Sequence, residues 1–244
     1  MNNCYIKHHW KNNPVNIAHF FHDNLFHAIV KYIENNSICW ILDNDLSDWE
    51  YQITKILIDY LNINYKINDS ISETPFPKAQ LGAKFDRNIR KSKYFNNVIK
   101  IVRSAVFNKY NLERTDNNPL SDYKVLYFRN DASRRKIENY DNNLNDMFDE
   151  IVIDMATKTF EEQVKLFNKM THFVTIEGAH LTNILFMNPN AKILIFSPIK
   201  NSWQLMFGTS MLVNKLEIIT TGGDFHSNIK YNEKIENEIK KFLT

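Results

Sequence analysis

Three short stretches of this sequence carry side chains that could act together chemically. "FRNDASRRKIEN", Phe128 to Asn139, sets Arg129, Arg134 and Arg135 within one loop-like stretch, with Ser133 beside them. "TIEGAHLTN", Thr175 to Asn183, brings Glu177, Gly178, Ala179 and His180 between an apolar run and an apolar helix-like segment. "AHFFHDN", Ala18 to Asn24, holds His19, His22 and Asp23. Guanidinium groups fork onto phosphate oxygens. A helix start offers unpaired amides and a positive dipole end, and small residues there let a ligand approach the backbone. The first two stretches therefore suit a phosphate or diphosphate, and the third suits proton removal.

The five glycines, Gly82, Gly178, Gly208, Gly222 and Gly223, spell neither the G-x-G-x-x-G dinucleotide fingerprint nor a P-loop. Arginines must then supply what a glycine-rich loop would. Arg129 with Arg134 or Arg135 is the expected clamp, and the segment from Gly178 to Asn183, including Leu181 and Thr182, is expected to donate backbone N–H groups. The alternatives are a solvated basic turn and a plain strand-to-helix turn. Glu177 suits sugar or ribose hydroxyls, or a helix cap. Asn183 suits phosphate or sugar, or a backbone partner. His19 and Asp23 stand four apart, on one face of a helix, and His22 points about 100° away. Asp23 is the first candidate for a base, with His19 orienting it or touching substrate and His22 as the other imidazole. An acid near a helix start is also stabilised there without any catalytic role.

The elements that would carry these residues alternate. Apolar spacing predicts a helix over Phe20 to Glu34 and a buried strand over Ser37 to Asp43. A second helix opens on a Ser47–Glu50 capping box, and a long one runs over roughly Asp86 to Lys109. "NLERTDNNPLSDY", Asn111 to Tyr123, reads as a polar linker. After it come strands at "KVLYF", "EIVIDM", "HFVTI", "AKILIFSP" and "KLEIITTG". Helical stretches alternate with them at "SRRKIENYDNNLNDMF", "TFEEQVKLFNKM" (capped by Thr159 and Glu162), "LTNILFM", "SWQLMFGTSML" and "NEKIENEIKKFL". Such alternation predicts parallel sheets covered on both faces, here as two Rossmann-like domains over 1–115 and 116–244. In such sheets the loops leaving the carboxyl ends of strands hold the ligand.

Composition narrows the classes. The 244 residues are 43% hydrophobic and 24% charged, enough to bury a real core. A net charge of +2 and a pI near 8.3 argue against nucleic acid. No stretch reaches the ~18 apolar residues of a membrane span, and the first residues lack a signal-peptide core. Cys4 and Cys39, the two cysteines, are too few for a disulfide framework or a cysteine zinc site. H-E-x-x-H does not occur, and no metal ligand set is expected. A soluble cytoplasmic protein is the expectation.

Three blocks in order resemble glycosyltransferase family 61. Phe160, Glu162, Gln163, Glu177, Gly178, Ala179, Leu181, Asn183, Phe186, Pro189 and Pro198 follow its F-x-E-Q … [HE]-G-[AS]-x-L-x-N pattern. Arg129, Arg134 or Arg135, Ile137 and Asn139 are similar to its arginine loop. Asn16, His19, Asp23 and Leu25 are similar to its amino-terminal N-x-x-H-x-x-x-D-x-L signature. Many eukaryotic members read His-Gly-Ala-Gly where this chain has Glu177-Gly178-Ala179-His180. The glutamate form is closer to short bacterial- or viral-type members, and His180 would narrow the space above a pyrophosphate.

The resemblance implies a GT-B fold, with an acceptor-side first domain and a second domain that binds a nucleotide-sugar. The terminal helix would pack back on the first domain. It also implies inverting, metal-independent transfer from a UDP-sugar, xylose or N-acetylglucosamine favoured, to an oligosaccharide or glycoprotein hydroxyl. Relatives include O-mannose N-acetylglucosaminyltransferases and xylan xylosyl- and arabinosyltransferases. Trp203 could shape the base pocket, and Asp224 and His226 could line the cleft. The competing readings are a catalytically silent nucleotide- or glycan-binding protein, which Glu177 and His180 would favour, and a sugar-nucleotide epimerase of the same fold.

Overall fold

The computed structural model describes residues 3–6, 17–68, 94–112, 121–130, 132–199, 215–224 and 226–244, except the side chains of His19, His22 and Asp23. The chain divides into two compact units, Met1–Glu113 and Arg114–Thr244. The expected helix at "SWQLMFGTSML", with Trp203, and most of the expected linker lie outside the described residues.

The first unit carries β1 (Asn3–Ile6), α1 (Ile17–His19), a π-helical turn (Phe20–Leu25) and α2 (Phe26–Glu34). It continues with β2 (Cys39–Asp43), α3 (Asp48–Leu61), β3 (Asn64–Asn68) and α4 (Phe95–Lys109). The strands form one parallel sheet in the order β1-β2-β3. Central β2, "CWILD", is buried at every residue, which is why it reads as a continuous apolar run. The predicted Ser47–Glu50 box caps α3, with Ser47 N–H donating to Glu50 Oε2 over 2.9 Å. In register, Cys4 lies opposite Trp40 and Cys39 opposite Asn3, so the two thiols project from opposite faces of the sheet. Both are free.

The first helix departs from expectation. It begins at Ile17 and widens into the π turn, which contains His22 and Asp23. Phe20, Phe21, Asn24 and Leu25 are all buried there, and the wider turn accommodates two consecutive phenylalanines facing the core. π turns recur at functional sites.

The second unit carries β4 (Lys124–Tyr127), β5 (Ile137–Glu138), a 3-10 turn (Asn145–Met147), β6 (Glu150–Ile151) and α5 (Phe160–Lys169). β7 (His172–Ile176), a 3-10 segment (Ala179–Phe186), β8 (Lys192–Ser197), β9 (Lys215–Thr220), β10 (Ile229–Lys230) and α6 (Glu233–Leu243) follow. Five parallel strands pair in the order β6-β4-β7-β8-β9, and β5 pairs with β10 in a separate parallel ribbon. On one face α6 buries Ile235, Ile239, Phe242 and Leu243 against Leu126, Val174, Ile176, Leu194 and Phe196. Each such side chain contributes roughly 1.5–3 kcal/mol. This apolar face of α6 thus packs on the sheet of its own unit. Near α5, Phe160 and Phe167 meet Phe186 and Phe173 edge-on, with ring centroids 5.8 and 5.3 Å apart.

Three sequence expectations need correction. The stretch 133–148 is not a helix but turns around β5. Asn139 and Asn142 take left-handed φ of 62° and 66°, and Asp141 Oδ1 accepts the Asn143 N–H, so short polar side chains compete with the helix backbone. "EIVIDM" keeps only Glu150–Ile151 as strand, and Ile153 beyond it is 71% exposed. "LTNILFM" is 3-10 rather than α. His180 to Phe186 are all buried, so the segment has no solvent face to set an amphipathic α-helix.

Candidate active site

Strand order in the second unit reverses between β4 and β7: chain order runs outward to β6 on one side and through β8 to β9 on the other. Ligands of open parallel sheets sit beyond the carboxyl ends of the strands at such a point. The loop leaving β4 carries Arg129, Ser133, Arg134 and Arg135, and the loop leaving β7 carries Glu177, Gly178 and Ala179. The fold therefore puts the two phosphate-suited stretches side by side.

Arg129 binds the loops together. Its Nη1 donates to Glu177 O over 2.9 Å and to Arg135 O over 3.3 Å. Its own carbonyl accepts the Ala132 N–H at 2.9 Å. Arg129 and Arg135 both hold left-handed φ, 58° and 52°, strained for arginine. Arg135 is half-buried. Burial first, and then the Arg129 charge, pull it down to about 10, while Glu177 acts in the opposite sense. Arg134 is exposed and sets its Nη1 3.0 Å from His226 Nδ1. Ser133 is exposed as well.

Gly178 explains itself through space rather than backbone angle. Its φ is −178°, extended backbone open to any residue. A Cβ there would stand 2.9 Å from the Arg129 guanidinium carbon and 2.8 Å from His180 Nδ1. The close approach that a glycine permits is made by the protein's own arginine.

His180 does not stand over the loop, as the sequence suggested. Its ring turns into the core, edge-on to Tyr127 at 4.8 Å and Phe173 at 6.1 Å. Its Nε2 lies 3.0 Å from Thr175 Oγ1, which donates to Tyr127 O at 2.8 Å. With that hydroxyl proton committed, Nε2 carries the ring proton and donates to Thr175. Burial, then the Arg129 and Arg135 charges, hold the imidazole well below its ordinary pKa, so it is neutral. The feature that favoured a silent protein is a core histidine.

Glu177 is fully buried and caps no helix. Its Oε2 accepts from Ser197 Oγ over 2.7 Å, and its Oε1 has no hydrogen-bond partner. Asn183 is held by the F-x-E-Q block, donating Nδ2 to Gln163 Oε1 over 2.8 Å. Leu181, Thr182 and Asn183 are all buried, with Thr182 Oγ1 and Asn183 Oδ1 unpartnered. The first 3-10 bond runs from Leu181 N–H to Gly178 O at 3.1 Å, leaving the Ala179 and His180 amides ahead of it. Of the expected segment, half-buried Ala179 is the residue nearest solvent.

Two features escaped the sequence. Ser197 ends β8 next to Glu177, a position that the carboxyl-end rule for parallel strands could have flagged. The β5–β10 ribbon folds the 221–230 chain toward the arginine loop. Asn228 accepts from Lys136 N–H and donates to Glu138 Oε1 at 2.8 Å. In that return Asp224 forms a turn, taking the His226 N–H at 2.7 Å, and this bond with that of Ser227 lowers its pKa. A groove of about 200 Å³ opens there, lined by Thr220, Thr221, Asn228, Lys230 and Asn232. Among the described residues no cluster of three His, Cys, Asp or Glu could hold a metal ion.

The model of the family described as Glycosyltransferase 61 matches residues 17–194, well over half of the chain. The chain belongs to glycosyltransferase family 61. It is a glycosyltransferase, with a sugar donor and a glycan acceptor. The match begins at Ile17, where the first helix starts, and ends at Leu194 within β8. It thus takes in the π turn, the arginine loop and the Glu177–Asn183 segment. No curated protein sequence matches the chain. No helix among the described residues is long and apolar enough to cross a membrane.

Proposed function

We propose that this family 61 enzyme moves a sugar, xylose or N-acetylglucosamine, from a UDP-sugar to a hydroxyl of an oligosaccharide or glycoprotein, with inversion and without a metal. The observation that carries this reading is the adjacency of the arginine loop and the Glu177–Gly178–Ala179 loop where strand order reverses. The second unit would hold the donor, its diphosphate against Arg134, Arg135 and the Ala179 amide, and its nucleoside in the groove beside Thr221 and Asn228. The first unit would serve the acceptor, in a GT-B arrangement.

Asp23 in the π turn, with His19 and His22 nearby in sequence, would take the acceptor hydroxyl proton. The acceptor oxygen then attacks the anomeric carbon as the bond from that carbon to the β-phosphate oxygen breaks. The electron pair leaves on UDP, whose growing charge the arginines stabilise.

Thermal unfolding in EDTA with UDP, UDP-N-acetylglucosamine, UDP-xylose or GDP-mannose tests the donor. Ligand at about 100 times its dissociation constant adds roughly 2.7 kcal/mol, a rise of about 5–10 °C at this size. A uridine-specific rise that survives EDTA supports the reading. Product formation with the responding donor, lost in Asp23→Asn, supports transfer. Donor breakdown without any acceptor would favour the epimerase, and UDP binding without product the silent protein.

A further inference from the structure

We infer that Arg129 is the positioning residue of the donor site. Its guanidinium, seated on Gly178, ties the loop after β4 to the loop after β7 and leaves Arg134 and Arg135 to meet the diphosphate. The inference rests on the donor reading above and assigns within it a role that the arginine count alone would not.

The geometry separates Arg129 from its neighbours. One of its terminal nitrogens is engaged by two carbonyls, Glu177 O at 2.9 Å and Arg135 O at 3.3 Å. The first belongs to the β7 loop and the second to the far end of its own loop, so this side chain fixes both the loop's closure and its distance from β7. Beneath it Gly178 has no room for a methyl group, being closed on one side by Arg129 and on the other by His180 Nδ1 at 2.8 Å from the absent Cβ. His180 cannot swing away without leaving Thr175, Tyr127 and Phe173. The stack runs from Arg129 through Gly178 to a neutral core histidine, so the position of Arg135 is set from the core outward. Arg135 pays for this in a left-handed backbone that only a tied loop would hold. Arg134, exposed, has no such tie to β7.

The test uses the full chain with UDP as probe, reading affinity by calorimetry and stability by thermal unfolding. A lysine at 129 keeps a charge that phosphate accepts, but its ammonium stands on a shorter stem without the planar fork, so it does not reach both carbonyls from the same backbone position. Arg129→Lys is therefore expected to lose UDP affinity as far as Arg129→Ala, roughly tenfold or more. Gly178→Ala changes no charge and is expected to lose affinity like Arg129→Ala. Their effects should not multiply, the double variant lying within about threefold of the weaker single. Ile239→Ala, in the core under α6, should lower the melting temperature yet leave UDP affinity within about threefold, separating positioning from general instability. Wild-type affinity in Arg129→Lys alongside loss in Arg129→Ala would make Arg129 a direct phosphate ligand and overturn the inference, as would fully multiplicative losses. If wild type binds no UDP, the donor reading fails instead. The melting shifts of the four proteins in the cycle then judge the Arg129–Gly178 coupling: additive shifts sink it and non-additive shifts uphold it.

Discussion

Gln163 and Asn183 join two separate blocks of the family pattern in one hydrogen bond of 2.8 Å. Gln163 in turn donates its own amide to Met155 O at 3.2 Å and Lys158 O at 3.0 Å. The first turn of α5 is thus clamped to the buried 3-10 segment after Gly178, and Asn183 serves as a strut rather than an exposed ligand group.

Removing both members of that pair should cost less than the two single removals added together. Gln163→Ala strands the Asn183 amide in a fully buried site, an expected loss of about 1–3 kcal/mol. For a chain of this size that is a fall of roughly 2–12 °C in melting temperature. Gln163→Leu combined with Asn183→Leu should lose less than the two singles summed, because neither polar group is left behind. Strict additivity in a double-mutant cycle would contradict this pairing.

Ser197 is the hydrogen-bond donor that meets the buried Glu177 carboxyl group, at 2.7 Å. Ser197→Ala leaves both carboxyl oxygens without a donor and is expected to destabilise the fold by about 1–3 kcal/mol. Glu177→Gln in the same background strands one acceptor oxygen instead of two, so it should recover part of the loss in urea unfolding. No recovery would show that Glu177 is held by something other than this bond.

His180 links stability to pH. It is neutral in the fold, while the unfolded chain protonates it near the ordinary 6.5. Below that value the unfolded state binds a proton that the fold refuses, so stability is full above about pH 6.5 and falls with acid, with a slope approaching ~1.4 kcal/mol per pH unit. His27 and His172, also lowered by burial, act in the same direction. His180→Phe keeps the ring packing and removes one titration, so its urea midpoint should change less between pH 7.5 and 5. Equal slopes in the two proteins would mean that His180 titrates alike folded and unfolded.

Arg134 separates fold from ligand. Its contact with His226 lies on the surface, where such a pair is worth at most ~1 kcal/mol. Arg134→Ala should therefore leave the melting temperature of the free protein within about 2–4 °C. The rise produced by UDP should shrink. A free-protein loss as large as the one at Gln163 would mark Arg134 as structural and remove it from the donor set.

Periodicity was enough for much of the framework. Both capping boxes, at Ser47–Glu50 and Thr159–Glu162, lie where their spacing put them, since a cap is a contact over three residues and needs no tertiary partner. β2, β7 and β8 were legible because strands buried on both faces are apolar throughout. The stretch 133–148 misled because its apolar positions alone suggest a helix, while its asparagines and Asp141 decide for turns through side-chain bonds that periodicity ignores. The segment after Gly178 misled because residues buried on every side carry no period to distinguish a 3-10 from an α-helix.

By itself the sequence determined which residues are candidates for chemistry and in which order they stand: the arginines of one loop, the glutamate and glycine of another, the acid and histidines of the first helix. It also determined the family, because three spaced blocks are a property of the chain. What only the tertiary structure decided is what each of those residues faces. Sequence spacing fixes neighbours within a turn or two. The meetings of Arg129 with Gly178, His180 with Thr175 and Tyr127, Glu177 with Ser197, and Arg134 with His226 join separate strands and loops. They exist because β4, β7 and β8 are hydrogen-bonded side by side and the β5–β10 ribbon returns the chain to the arginine loop. A glycine that in sequence promised room for a ligand proved to be room for an arginine, since only the packed sheet brings that guanidinium to it.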